Sequence, residues 1–373
     1  MRRVAIPPRP QWWDRVEAIG FDFHTIDNAP YWDETAYWRF DAAQIDRLED
    51  TAEELHQMAM AATRRVFAQD RLSLLGIGGP AADLARASWQ ADEAQLYGRF
   101  DLAWDGHAPP KLLEYNADTP TSLFEAAVIQ WHWLHDIAPH ADQFNSLHEA
   151  LVERWRELAD GHPLHLTCLT PHAEDEGTVR YLEATALEAG LAAKFVALPD
   201  IGWNGSAFVD LDDHPIHTLF KLYPWEWLAC DPFAPHIPDT PTRWIEPAWK
   251  LVLSNKGLLA EMWDMFPGHP NLLPASRDPG KLDCPRKVSK PLFSREGANI
   301  SIFDGETALH HVPGPYGAEG HVWQEWCPQA IHDGNSVVLG AWMVGDRCCG
   351  LGIREDDGPV TRDTSRFVPH LFE

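Results

Sequence analysis

Apolar and polar positions along the chain change texture three times. Between residues 41 and 66 the apolar residues Ile45, Leu48, Leu55, Met58, Ala62 and Val66 recur with a helical period. Asp41 and Gln44 have capping-box spacing ahead of that stripe, and Arg64 and Arg65 suit its C-terminal dipole, so one long helix is predicted. A short helix is predicted over 11–19, and the alternation at 21–24 reads as a short strand ended by Asn28-Ala29-Pro30. Residues 97–104 alternate and are rich in aromatics, residues 105–110 carry turn chemistry, and residues 111–116 form a return strand. Pro120 and the spacing Ser122-x-x-Glu125 mark the start of a further helix. Another amphipathic helix is predicted over 141–158. The texture then shifts to a strand at 163–169, a helix at 176–189, and strands at 193–198 and 216–222, which is the pattern of a small βαβ unit. Four prolines make 231–241 a loop, and Pro247 opens a helix through Lys250, Leu253 and Leu259 to Met262. Strands follow at 288–291, 300–303, 322–326, 336–344 and 348–353; from Glu355 the chain reads as loop and tail.

The hairpin at 97–116 carries chemistry. With Trp104 opposite Lys111, Asp101 faces Glu114 and Arg99 faces Asn116, and all four side chains point to one side. Opposed carboxylates repel, and a bound cation reverses the sign. Asp, Glu and Asn offer only oxygen, which suits Mg²⁺ better than zinc, and the Arg99 fork matches phosphate oxygens. An ordinary surface hairpin with solvated charges is the competing reading of the same residues. Glu226 lies among the aromatics of 223–227, where it either binds an ammonium with cation–π support or is a surface carboxylate. Gly76-Ile77-Gly78-Gly79-Pro80 has no GK[ST] behind it and reads as a turn rather than a phosphate loop.

Composition narrows the setting. The 373 residues, 45% hydrophobic, are enough for a large core in two or three structural units. No run of 18 apolar residues exists, and no apolar segment follows Arg2 and Arg3, so neither a membrane span nor a secretory signal is predicted and the chain is placed in the cytoplasm. Six cysteines without a CxxC pattern are predicted as free thiols. A net charge of −26 argues against nucleic acid as a partner. It either favours a cationic substrate or only keeps the chain soluble. The sequence leaves the oligomeric state open.

RFD at 99–101, followed by LLEYNADTPTSLFEA at 112–126, resembles the nucleotide and metal motif of the glutathionylspermidine synthase family, acid–amine ligases of the ATP-grasp class. The resemblance continues through KLYPWEWL at 221–228, EPAWKLVLSNKGLLAEMW at 246–263, VSKPLFSREGANI at 288–300 and VWQEW at 322–326, and spans the chain from about Trp12 onward. It implies an α/β (α+β) ATP-grasp fold with an N-terminal part at 1–160, a Rossmann-like pre-ATP-grasp unit at 161–245, and a nucleotide-binding part at 246–373 with a lid at 285–312. It implies ATP and Mg²⁺, with the metal on Asp101, Glu114 and Asn116 and with Arg99 as the catalytic clamp. Nucleotide contacts would come from Arg99, Phe100, Asp101, Lys256, Lys290, Gly297, Gln324, Gly352, Ile353 and Arg354. Thr119, Thr121, Ser122 and Glu226 would meet the small-molecule acid and amine. Members that use glutathione carry a cysteine where Ser122 stands, so the acid is left open. The amidase module of some members is not expected here, and with it no Cys–His hydrolytic half-reaction. The implied activity is amide formation through an acyl phosphate, joining a peptide or glutathione-like acid to a polyamine-like amine. The alternative is a non-catalytic ATP- or polyamine-binding protein of the same fold.

Overall fold

A computed structural model describes residues 1–26, 28–362 and 364–373. The Asp41 cap forms as its spacing requires: the Asp41 carboxylate accepts from the Gln44 N–H, and the Gln44 side chain accepts from the Asp41 N–H. The helix Ala42–Ala68 follows, and every residue of its predicted stripe is buried. It packs on an antiparallel sheet in which Arg366–Phe367, Arg347–Asp356, Asn335–Val344, Tyr97–Ala103 and Lys111–Asn116 lie side by side, with Ala330–His332 also pairing on Asn335–Val344. The hairpin from the first third of the chain therefore shares a sheet with the last two long strands.

Side-chain alternation gives this sheet two different faces. Phe100, Leu102, Leu339, Met343, Leu351 and Ile353 point into the core beneath the long helix. On the other face Tyr97, Trp342 and Val344 join a second core with Leu147 and Leu151 of the helix Leu147–Leu158. A second antiparallel sheet, Ala275–Ser276, His321–Glu325, Arg286–Pro291, Ser301–Asp304 and Thr307–His311, meets the strand Lys111–Asn116 through Lys290 and Gln324. The cleft between the two sheets is the feature that the fold builds.

The predicted βαβ unit is present as a parallel sheet, Arg243–Ile245, Thr218–Leu222, Leu164–Cys168 and Ala193–Phe195, with the helix Ala173–Glu188 against it. Four expectations change. Residues 21–24 form no strand; Phe21 and Phe23 are instead buried in aromatic packing. The helix predicted over 141–158 begins at Leu147. The helix expected from Pro247 to Met262 is two pieces, Lys250–Leu253 and Leu258–Met265. The Asn255 side chain takes the Gly257 N–H and donates to the Leu75 carbonyl, and the Lys256 N–H goes to the Leu292 carbonyl, so the helical ladder is interrupted. The C-terminal tail contains the strand His370–Phe372, parallel to Ala36–Phe40, which in turn pairs with Arg2–Ala5 and so joins the two ends of the chain. Among the described residues no helix is long and apolar enough to cross a membrane.

Candidate functional site

The hairpin register places Arg99 opposite Asn116 and Asp101 opposite Glu114. A bulge between Asp101 and Leu102 then shifts the turn end by one residue, so Lys111 faces Ala103 and not Trp104. At the turn the Trp104 indole donates to the Ala108 carbonyl, and the Asp105 carboxylate accepts from the His107 and Ala108 N–H groups. The turn sets its own geometry and the bulge absorbs the mismatch.

The Arg99 fork grips Asp101, with Nε to Oδ1 at 2.7 Å and Nη2 to Oδ2 at 3.1 Å, while Nη1 donates to the Thr121 carbonyl at 2.6 Å. Its guanidinium lies 5.5 Å from the centre of the Trp342 ring. Gly340 makes room for this: a Cβ there would stand 2.9 Å from Arg99 Cδ. Glu114 accepts from Asn116 Nδ2 at 3.0 Å and pairs with Lys256 Nζ at 3.1 Å. From the opposing sheet Lys290 donates to Gln324 Oε1 at 2.7 Å and to the Leu113 carbonyl at 2.8 Å. Asp101, Glu114, Lys290, Gly297, Gln324 and Val338 line one cleft of about 600 Å³, solvent at its mouth included.

Charge in this cleft is strongly coupled. Burial alone would raise the Glu114 pKa, but Lys256 and Lys290, with hydrogen bonds from Lys256 and Asn116, bring it down to about 2. Burial lowers Lys290 to about 8 against the pull of Glu114. Burial also opposes the charge on Arg99, and Asp101 overcomes it, so that pKa is raised. Two carboxylates and a side-chain amide are a hard-oxygen donor set that fits Mg²⁺. Each carboxylate already sits beside a cation in this structure, so the site is built to hold positive charge between the strands.

Along the cleft from Arg99 lies a second group of residues. Arg295, from the loop at 294–299, donates to Thr119 Oγ1 and, at 2.7 Å, to Glu226. Ser122 has a left-handed backbone, φ 68°, and its Oγ meets the Tyr31 hydroxyl at 2.9 Å and Arg354 Nη1 at 3.3 Å. Ser122 and Glu125 form no capping box; both turn to Tyr31, whose hydroxyl donates to Glu125 Oε1 at 2.5 Å.

The structure thus gathers Arg99, Asp101, Glu114, Asn116, Lys256 and Lys290, with Gln324 and Gly297 on the cleft wall and Thr119, Thr121, Ser122 and Arg354 beyond Arg99. Two residues of the expected nucleotide set differ in orientation. Phe100 is fully buried on the other sheet face, stacked on Tyr115 at 3.7 Å, and Ile353 is fully buried in the same core. Strand alternation turns both rings or branches away from a face that Asp101 and Gly352 share, so only their backbones border the site. Gly352 stands opposite Gly340, and its missing side chain leaves room for Trp342 and Phe367. The Gln324 amide is engaged by Lys290 and by the Leu112 carbonyl, so it positions the lysine. Glu226 is held by Arg295. Tyr31, Glu125, Arg295 and Trp342 were not anticipated. Of these Arg295 had a sequence signal, as the one cation of the glycine-containing loop, and Glu125 had one as a helix-start residue only.

The sequence matches the family model described as glutathionylspermidine synthase preATP-grasp over residues 3–373. It is 41% identical, across the full length of both chains, to a Haemophilus influenzae protein named "Putative acid--amine ligase". It is 28% identical to the trypanothione synthetase of Crithidia fasciculata over 84% of this chain and 53% of that one, so it spans about half of that longer relative. Among solved structures, a glutathione synthetase-like effector from Globodera pallida aligns with a TM-score of 0.58 at 10% identity, covering 90% of this chain and 89% of that one, which shows a shared fold.

Proposed function

The chain belongs to the glutathionylspermidine synthase family, and from that premise we propose that it is an ATP-dependent ligase joining a small carboxylic acid to a cationic amine through an acyl phosphate. One observation carries this reading. Arg99, Asp101, Glu114 and Asn116 share a sheet face, with Lys290 across the cleft and Lys256 bonded to Glu114.

Lys256 and Lys290 are placed to hold the phosphates of ATP, and the loop at 294–299 to cover them. That loop packs tightly: a Cβ on Gly297 would stand 2.7 Å from the Thr361 carbonyl oxygen. Asp101, Glu114 and Asn116 would hold Mg²⁺, which neutralises the phosphate charge when bound. Arg99 then acts as the clamp on the phosphoryl group in flight. A carboxylate oxygen of the acid attacks the γ-phosphorus, the bond to the bridging oxygen breaks, and ADP leaves. Next the amine nitrogen attacks the acyl carbon, the carbon–oxygen bond to phosphate breaks, and the amide forms. Water exclusion matters because an acyl phosphate hydrolyses readily. Arg295 ties the covering loop to Thr119 and Glu226, so closing over the nucleotide also closes the substrate end.

The acidic groups near that end favour a cation as the second substrate. Burial pushes Asp175 up to about 6, with Glu174 and Glu296 adding to it. The excess of carboxylates there matches the chain's charge of −26. The acid is a peptide or a similar molecule, with Ser122, Thr119 and Thr121 at its place. Screening acids and amines in pairs for ADP release tests the reading. ADP release that requires Mg²⁺, one acid and one amine is expected. Tight ATP binding without turnover on any pair would defeat it.

A further inference from the structure

Glu125 is fully buried, and its chain neighbours Leu123, Phe124, Ala126 and Ala127 are buried with it. Its Oε1 accepts from Tyr31, but among the described residues its Oε2 has no hydrogen-bond partner. Burying a carboxylate with one open oxygen is costly. Two local departures from regular backbone meet at the same place. The helix is π-wound over Glu125–Ile129, a form frequent at functional sites, and Ser122 adopts its left-handed backbone, which a serine rarely does. The result is a continuous hydrogen-bonded line: Ser122 Oγ, the Tyr31 hydroxyl, Glu125 Oε1. At its Ser122 end the line is also buried and meets Arg354 Nη1, and the preceding residue, Thr121, carries Arg99 on its carbonyl.

We propose that Glu125 takes up the proton of the attacking amine, reached through the hydroxyls of Ser122 and Tyr31. This rests on the ligase reading above. The amine arrives as an ammonium and cannot attack until it loses a proton. That proton passes to Ser122 Oγ, Ser122 gives its own to the Tyr31 oxygen, and Tyr31 gives its own to Glu125 Oε1. The freed nitrogen lone pair forms the carbon–nitrogen bond as the bond to phosphate breaks; the departing phosphate takes the second proton from that nitrogen, and Glu125 ends as a neutral acid. The charged groups facing Glu125 are Glu174 from the helix Ala173–Glu188 and Arg354 from the strand Arg347–Asp356. Burial first and Glu174 second push the carboxyl up to about 7, against Tyr31 and Arg354, which suits a proton acceptor at neutral pH.

The test uses Glu125→Gln, which keeps the volume and an acceptor for Tyr31 but cannot take a proton. Ligation is measured with the acid that the screen identifies, against spermidine and against hydroxylamine, whose nitrogen is largely unprotonated at neutral pH. With spermidine the rate should fall roughly 10²- to 10⁴-fold, as for loss of a general base. The acidic limb of the kcat–pH profile should disappear and be replaced by a rate that climbs into the alkaline range. With hydroxylamine, acyl hydroxamate should form at close to the wild-type rate. Tyr31→Phe, which breaks the line but leaves the acid, should show the same split. Equal losses with both nucleophiles, or an unchanged spermidine rate and pH profile, would overturn the proposal. A wild-type chain that makes neither amide nor hydroxamate with any acid would instead remove the ligase reading itself, and the relay with it.

Discussion

Gly340→Ala isolates the one contact that lets Arg99 lie across the sheet. An alanine Cβ there would stand 2.9 Å from Arg99 Cδ, 3.4 Å from its Cγ and 3.3 Å from the Gly352 carbonyl oxygen. The shortest of these is about half an ångström inside an ordinary contact. The backbone oxygen cannot retreat without disturbing the pairing of Gly340 with Gly352, so the arginine must move. It is not free to do so, because Asp101, the Thr121 carbonyl and Trp342 hold it on three sides. Overpacking of this kind costs about 1–3 kcal/mol of stability. A shift of up to about 1 Å in a catalytic group costs up to roughly 100-fold in rate. The variant should fold, with kcat reduced roughly 10- to 100-fold and nearly normal nucleotide-induced stabilisation. Gly350→Ala is the control. It overpacks the same sheet against Leu147, 2.8 Å from the new Cβ, away from the cleft. It should lose similar stability and keep kcat. Melting curves with and without ATP, and steady-state ADP release, separate the two. If Gly340→Ala leaves kcat intact, or if both variants lose it equally, Arg99 does not act where this account puts it.

Other outcomes follow from the same geometry. Arg99→Ala should retain ATP binding within a few-fold while turnover is lost, since a clamp acts in the transition state; equal loss of both would make Arg99 a ground-state binder. Burial lowers Lys290 from about 10.5 in the unfolded chain to about 8 in the folded one, so between those values the unfolded chain binds more protons and stability rises with pH. ATP affinity should change the other way, falling as pH passes about 8, with proton uptake on binding. Calorimetry in two buffers of different ionisation enthalpy reads that uptake, and a flat affinity with none would contradict the role given to Lys290.

A register with Trp104 opposite Lys111 put Asp101 against Glu114, and alternation put both side chains on one face; the pair forms although Lys111 faces Ala103. Alternation could not show the bulge that moves Lys111, since that comes from turn hydrogen bonds at Trp104 and Asp105. The capping box at Asp41 was legible because it is local. The break at Asn255 was not, because its partners, Leu75 and Leu292, are distant in sequence. For the same reason Tyr31 stayed hidden: it meets Ser122 and Glu125 across ninety residues of chain. Phe100 and Ile353 show the opposite effect. Each belongs to a motif that borders the cleft, yet each fills a core position between residues that face it.

The most direct test of the central claim is ATP-dependent thermal stabilisation with and without Mg²⁺, on the wild type and on Asp101→Asn. Stabilisation of the wild type should grow when Mg²⁺ is added, and the variant should keep the metal-independent part but gain little from the metal. A metal-dependent gain of equal size in both proteins would contradict the placement of the cation between Asp101 and Glu114.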